Sequence, residues 1–590
     1  MNTSTGLSTT LAFGMLMLAG CSVQQTAGQD SAPGAAAPAA GAGNVVAKVT
    51  SDKRMDARAP WAPPPPPAPQ SLVVTGSSVM TRSPHQMGYA PNTGYAPTMA
   101  FAPPIVIMPP SSDRFPDKEA NKSVLTAEQP VSTFSTDVDT ASYAFVRRQL
   151  TAGRMPPLAA VRVEEMVNYF PYHYAAPKTS RQPFAVATDV MPSPWKAGNQ
   201  LVHIAVRGYD IQKAARPRAN VVLLVDVSGS MMPQDRLPLL KQGFHLLAEG
   251  LRDDDSVAIV TYASGTRVAL EPTPGKDRQK ILDAIDALGA GGGTAGAEGL
   301  QRAYALAERH FDPKAVNRIL LATDGDFNVG ISDPRTLEKF IADKRKSGVY
   351  LSILGVGEGN LNDALMQRLA QSGNGNAAYI DSLLEARKAL GEELGSTMFP
   401  IANDVKVQVE FNPARVAAYR LIGYETRMLQ RQDFKDDKVD AGDMGAGHTV
   451  TAIYEITPVA AAGAFVDPLR YARDKKPKAI KGATDELCFV KLRYKLPGET
   501  ASRLVEHPVH AGAARRSFDA APDDQRFAVA VAAFGQRLRG ETPLADTSYA
   551  QIADMANAAR GPDAEGYRAE FVKLVRMADA LGKVAQAGQP

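Results

Sequence analysis

Apolar positions between residues 216 and 396 follow two alternating patterns. Short, nearly continuous apolar runs at Val221–Val225, Val257–Tyr262, Thr266–Leu270, Arg318–Ala322, Val349–Val356 and Ala377–Ile380 predict strands. Between them, apolar residues recur at helical spacing over Leu237–Leu251, Arg278–Leu288, Ala295–His310, Asp333–Lys346, Leu361–Gln371 and Leu383–Leu394. Strands that are apolar on both faces and separated by amphipathic helices predict an α/β fold, a doubly wound, mostly parallel sheet covered on both sides. The gap between the second and third strands admits only a hairpin, so one strand is expected to run antiparallel at an edge.

The pattern changes on either side. Val131 to Asp139 alternates as a strand would, and Thr140–Leu150 and Val161–Phe170 carry apolar residues at helical spacing. Strand-like runs follow at Phe184–Val190 and Leu201–Arg207, giving an α+β module over 121–215. After the α/β region of 216–396, strands are predicted at Val405–Phe411, Ala417–Ile422, Thr449–Pro458 and Leu487–Tyr494, a β-rich domain over 397–515. Residues 516–590 turn helical, with Phe527, Val531, Phe534 and Leu538 on one face and Tyr567, Phe571, Leu574 and Val575 on another.

The first 120 residues differ in kind. Leu11 to Gly20 is an apolar stretch of ten, too short to span a bilayer as a helix and the right size for a signal-peptide core. It ends in Leu18-Ala19-Gly20-Cys21, although no Lys or Arg precedes it. Residues 21–120 are rich in Ala, Gly, Pro and Ser, with a run of prolines from Pro63 to Pro67, a composition that cannot bury enough apolar surface to fold. This stretch is expected to be an extended linker.

Composition narrows the function. The 590 residues carry 65 Lys and Arg against 62 Asp and Glu, a net charge of +3 with no dense basic run, so nucleic acid is not an expected partner. Of the two cysteines, Cys488 sits in the apolar run Leu487–Val490 and is expected to be a buried small side chain.

Three separated pieces carry candidate chemistry. Asp226-Val227-Ser228-Gly229-Ser230 directly follows one predicted strand, and Asp324 directly follows another in Thr323-Asp324-Gly325. Thr294 ends the glycine run Gly291–Gly293. Loops at the carboxyl ends of parallel strands gather at one edge, where ligands bind. Two carboxylates and three hydroxyls suit a hard divalent cation, Mg²⁺ first, with Mn²⁺ or Ca²⁺ as alternatives. Neutral hydroxyls leave such an ion short of negative charge, so the set is expected to recruit an outside carboxylate. Asp324–Asn328 opens like a calcium-binding loop, but Val329 and Arg335 stand where that loop needs Gly and Glu.

This constellation resembles the metal-ion-dependent adhesion site of von Willebrand factor type A (VWA) domains, whose fold is Rossmann-like. The resemblance implies that Ser228, Ser230 and Thr294 contact the metal directly, with Asp226 and Asp324 partly through water, and that a Glu or Asp of a protein partner completes the shell. Leu18–Cys21 resembles a bacterial lipobox. That implies a signal peptide over 1–20, lipidation of Cys21, a membrane anchor and, with Ser22 next, an outer-membrane address in the cell envelope. Phe134–Tyr143 and Glu164–Phe170 resemble the N-terminal module of YfbK-type VWA lipoproteins. Arg420–Glu425, Asp437–Gly442 and Gly445–Val450 resemble that family's C-terminal domain.

The expectation is an envelope-anchored binding protein and not an enzyme. Two alternatives stand beside it, a metal-dependent hydrolase and a structural envelope lipoprotein with a vestigial site. The hydrolase is disfavoured because no GxSxG, HExxH or Ser-His-Asp arrangement is present.

Overall fold

The computed structural model describes residues 112–587, apart from 180, 213–214, 295, 326–332, 393–394, 396–397, 438, 440 and 462–484. The signal-peptide core, Cys21 and most of the expected linker therefore lie outside the described residues.

A six-stranded sheet forms the centre. Its spatial order is Ala377–Ile380, Val349–Val356, Ala315–Thr323, Arg218–Asp226, Ser256–Tyr262, Thr266–Pro274. All neighbours are parallel except the last pair, which is the expected antiparallel edge hairpin. The helices cover both faces as the patterning requires. On one side Leu300, Tyr304, Ile341 and Leu369 pack on Leu224, Val260 and Ile353. On the other, Leu240, Phe244, Ile281 and Ile285 pack on Leu223, Val225 and Ile259.

The chain first leaves the central strand Arg218–Asp226 toward Ser256–Tyr262, then returns to its other side with Ala315–Thr323. The connection reverses direction between these two central strands, and their carboxyl ends flank the resulting crevice. In open α/β sheets that is where ligands bind.

The segments before and after this sheet share their structure. Phe184–Pro192 and Gln200–Gly208 join Thr449–Pro458, Val416–Ile422 and Val124–Leu125 in one five-stranded sheet. Val131–Ser135 pairs with Pro400–Phe411 in a second sheet, which continues to Glu486–Lys495 and Ser502–His510. The two sheets enclose a common core that includes Phe134, Phe411, Tyr419, Tyr454 and Leu492. The expected helices Thr140–Leu150 and Val161–Phe170 appear as Ala141–Thr151 and Val163–Asn168. They pack on Asp523–Leu538 and Tyr567–Ala587, with the Phe170 ring 5.0 Å from Phe527 and 5.6 Å from Phe571. The α/β sheet is thus inserted within a β-sandwich and helical layer built from both flanks.

Two local departures have clear causes. The helix expected over Leu383–Leu394 is α-helical at Leu383–Arg387 and then widens to a π-helix over Lys388–Glu392. There the buried Lys388 ammonium lies 4.3 Å from the Tyr169 ring centre, a charged side chain packed inside against an aromatic face. The strand Ser502–His510 escapes the patterning because it is a sheet edge, polar and largely exposed, with Pro508 inside it. Cys488 is buried as expected, and burial pushes its thiol pKa up.

Candidate metal centre

Asp226 is the last residue of its strand and Asp324 follows the last residue of the neighbouring one. The two strands run in parallel register, Val225 beside Ala322, which brings both carboxylates to the same edge at the crevice. Both side chains are buried. Ser228 N–H donates to Asp226 Oδ1 at 2.9 Å, folding the turn back on its own carboxylate. That turn sets the Ser228 and Ser230 hydroxyls 3.1 Å apart on one side.

The glycine run is laced onto this turn. Gly291 N–H donates to Val227 O at 2.7 Å, and Gly229 N–H donates to Gly292 O at 2.9 Å. Gly292 has φ +87°, and a Cβ there would lie 2.6 Å from Ser264 Oγ, so this close approach requires glycine. Thr294 follows this laced glycine run in the chain. The structure therefore gathers Asp226, Ser228, Ser230 and Asp324, while Thr294 follows the two glycines that are laced onto their turn.

Three further groups shape the site. Thr323 Oγ1 lies 3.4 Å from Asp226 Oδ2, and the buried Tyr262 hydroxyl interacts electrostatically with the same carboxylate. Arg236 donates from Nη1 to Asp324 Oδ2 at 2.5 Å and to Ser230 O at 2.8 Å, and from Nη2 to Glu358 O at 3.0 Å. Sequence patterning did not single out Tyr262 or Arg236. Tyr262 reads as one more strand aromatic, and Arg236 as a polar residue before a helix.

Burial raises the Asp226 pKa, with the negative charge of Asp324 adding to it, while the Ser228 hydrogen bonds act the other way. A carboxylate in that condition favours a nearby cation. With two carboxylates and clustered hydroxyls, the donor set fits a divalent ion of the Mg²⁺ type. Among the described residues no group of three or more His, Cys, Asp and Glu is placed to hold a metal ion. The Asp137–Asp139 pair is structural. Arg427 binds Asp137 Oδ2 at 3.1 Å and Asp139 Oδ2 at 2.6 Å in the interior.

The flanking helix reaches the same edge. Arg148 binds Asp235 Oδ2 at 2.6 Å and the Tyr379 hydroxyl at 2.9 Å, and Gln149 Nε2 donates to Glu358 Oε1 at 3.1 Å. Arg154 also pairs with Glu358. Asp235 and Glu358 are the residues on either side of the Arg236 seat, so the N-terminal segment braces the site.

Comparison with known proteins agrees with this architecture. Residues 221–326 match the von Willebrand factor type A domain model, and residues 109–203 match a von Willebrand factor model. Residues 396–581 match the model of the C-terminal region of the uncharacterized protein YfbK. The chain is 45% identical to the uncharacterized protein YfbK of Escherichia coli over 479 residues, 80% of this chain and 82% of that one. It is 30% identical to the uncharacterized protein sll0103 of Synechocystis, over 28% of this chain and 39% of the other. Among solved structures, it resembles a von Willebrand factor type A protein from Catenulispora acidiphila at 17% identity and TM-score 0.39, covering 67% of this chain and 89% of that one. With this sequence match spanning most of both chains, the protein belongs to the YfbK family of VWA proteins.

Proposed function

We propose that this protein is an envelope-anchored binding module. In this reading Asp226, Ser228, Ser230, Thr294 and Asp324 hold a divalent cation, Mg²⁺ first, and a Glu or Asp of a protein partner supplies a remaining ligand. VWA domains commonly mediate metal-dependent protein–protein binding. What carries the reading for this chain is the convergence of two buried carboxylates and the Ser228–Ser230 hydroxyl pair at the switch point of the sheet. The bound ion would supply an acceptor for an incoming carboxylate oxygen. The chain's own part is to fix the donors and, through the bracing helix, keep the edge in place. Lipidation at Cys21 would tether the module to the outer membrane, with residues 22–120 as the spacer.

Capture from an envelope extract tests the reading. The full chain is compared in Mg²⁺ and in EDTA, with wild type beside Asp226→Ala. A protein retained only by wild type in Mg²⁺ is the expected result. A structural lipoprotein with a vestigial site is the second reading, favoured by Arg236, which already neutralises one of the two carboxylates. It expects retention unaffected by EDTA and by Asp226→Ala.

A further inference from the structure

Arg236 is not a surface arginine that happens to reach a carboxylate. Its side chain is nine-tenths buried, and a seat is built around it. Two backbone carbonyls, Ser230 O and Glu358 O, receive its guanidinium, and Asp324 Oδ2 receives Nη1. The seat needs Gly357, which has φ +77°, because a Cβ there would fall 2.8 Å from Arg236 Cγ and 2.9 Å from Cδ. Asp235 and Glu358, the neighbours of the seat, are in turn held by Arg148, Gln149 and Arg154. The guanidinium is therefore a fixed positive charge at the candidate metal centre.

We propose that Arg236 makes cation binding depend on the partner. The inference rests on the metal reading above. Asp226 and Asp324 bring two negative charges and Arg236 one positive, while the hydroxyls bring none. A divalent ion then leaves the set with one positive charge in excess, and one outside carboxylate cancels it. The repulsion between ion and guanidinium weakens the ion's hold in the empty site. The same excess charge strengthens its hold on an acidic side chain. Arg236 is thus a specificity-determining residue that touches neither ion nor partner: it suppresses binding of metal alone and favours metal and carboxylate together.

The test is Mn²⁺ binding to the full chain, read from the paramagnetic resonance signal of free Mn²⁺, with and without acetate as the carboxylate probe and acetamide as its neutral control. Wild type is expected to bind Mn²⁺ weakly alone and distinctly more tightly in acetate. Arg236→Gln is expected to bind Mn²⁺ about tenfold or more tightly without acetate, and to gain little from adding it. Arg236→Lys, which keeps the charge, should behave as wild type. Gly357→Ala, which pushes the guanidinium off its seat while leaving the five candidate ligands intact, should follow Arg236→Gln. Equal or weaker Mn²⁺ binding in Arg236→Gln overturns the assignment and leaves the metal reading standing. Absence of binding by every variant at every acetate concentration overturns the metal reading and this inference with it.

Discussion

Arg147 Nη2 donates to Glu385 Oε2 at 2.8 Å, joining the helix Ala141–Thr151 to the helix that follows the strand Ala377–Ile380 of the α/β sheet. The same guanidinium binds Asp381, the Tyr169 hydroxyl at 2.8 Å and Glu570 at 3.2 Å. One buried cation thus links the N-terminal helices, the end of the VWA region and the last helix. Losing it leaves the carboxylates of Asp381 and Glu385, each 5% exposed or less, inside without their arginine partner, with Lys388 the remaining cation acting on Glu385. Arg147→Met is expected to cost about 3–5 kcal/mol in urea unfolding. A loss under 1 kcal/mol would mean that this junction does not hold the parts together.

A second prediction concerns pH. His203 is fully buried in the strand Gln200–Gly208, with Nε2 3.2 Å from the Tyr174 hydroxyl. Burial lowers its pKa to about 4, although Asp189 and Asp524 pull the other way. The unfolded chain takes up a proton as pH falls through about 6.5, and the folded chain refuses it until about pH 4. Stability therefore falls across that window, by about 3 kcal/mol from this group. His203→Gln should flatten the difference curve by one proton between those limits. Parallel curves for wild type and variant would overturn it.

A third prediction joins the core to the site. Gly299 lies in the helix Gly296–Arg309, where alanine is ordinarily favoured by about 1 kcal/mol. Here a Cβ would lie 2.9 Å from Tyr262 Cβ and 3.1 Å from its ring. Gly299→Ala is expected to destabilise by about 1–3 kcal/mol from overpacking. It should also shift the Tyr262 hydroxyl from Asp226, altering Mn²⁺ affinity. Gain of stability with unchanged affinity would show that the ring has room to move.

A fourth prediction follows from the proposed cation. A ligand that binds only the folded state stabilises it, by about 2.7 kcal/mol at a hundred times its Kd. Mg²⁺ in acetate should raise the Tm of wild type and leave Asp226→Ala where it was. An equal rise in both proteins would assign the effect to ionic strength.

Much of this was legible in the sequence because its signal is local. The strands Val349–Val356, Ala377–Ile380 and Thr449–Pro458 fall where the apolar runs place them, since burial on both faces writes itself into consecutive residues. The antiparallel edge followed from the length of one gap. Asp226 and Asp324 could be placed at one edge because each follows a strand directly. Their carboxylates meet because parallel register carries the two strand ends to the same height.

Tertiary structure decided what no local pattern encodes. Val131–Ser135 gives no sign that its partner is Pro400–Phe411, some 270 residues away, because backbone hydrogen bonds carry no residue code. The shared sandwich therefore emerged only from pairing. Lys388 reads as polar until Tyr169 is seen against its ammonium. Arg236 reads as a loop residue until Gly357, Ser230 and Asp324 close around it. Charge acts through space, so the sequence named the carboxylates of the site, and only the fold revealed which cation already stands beside them.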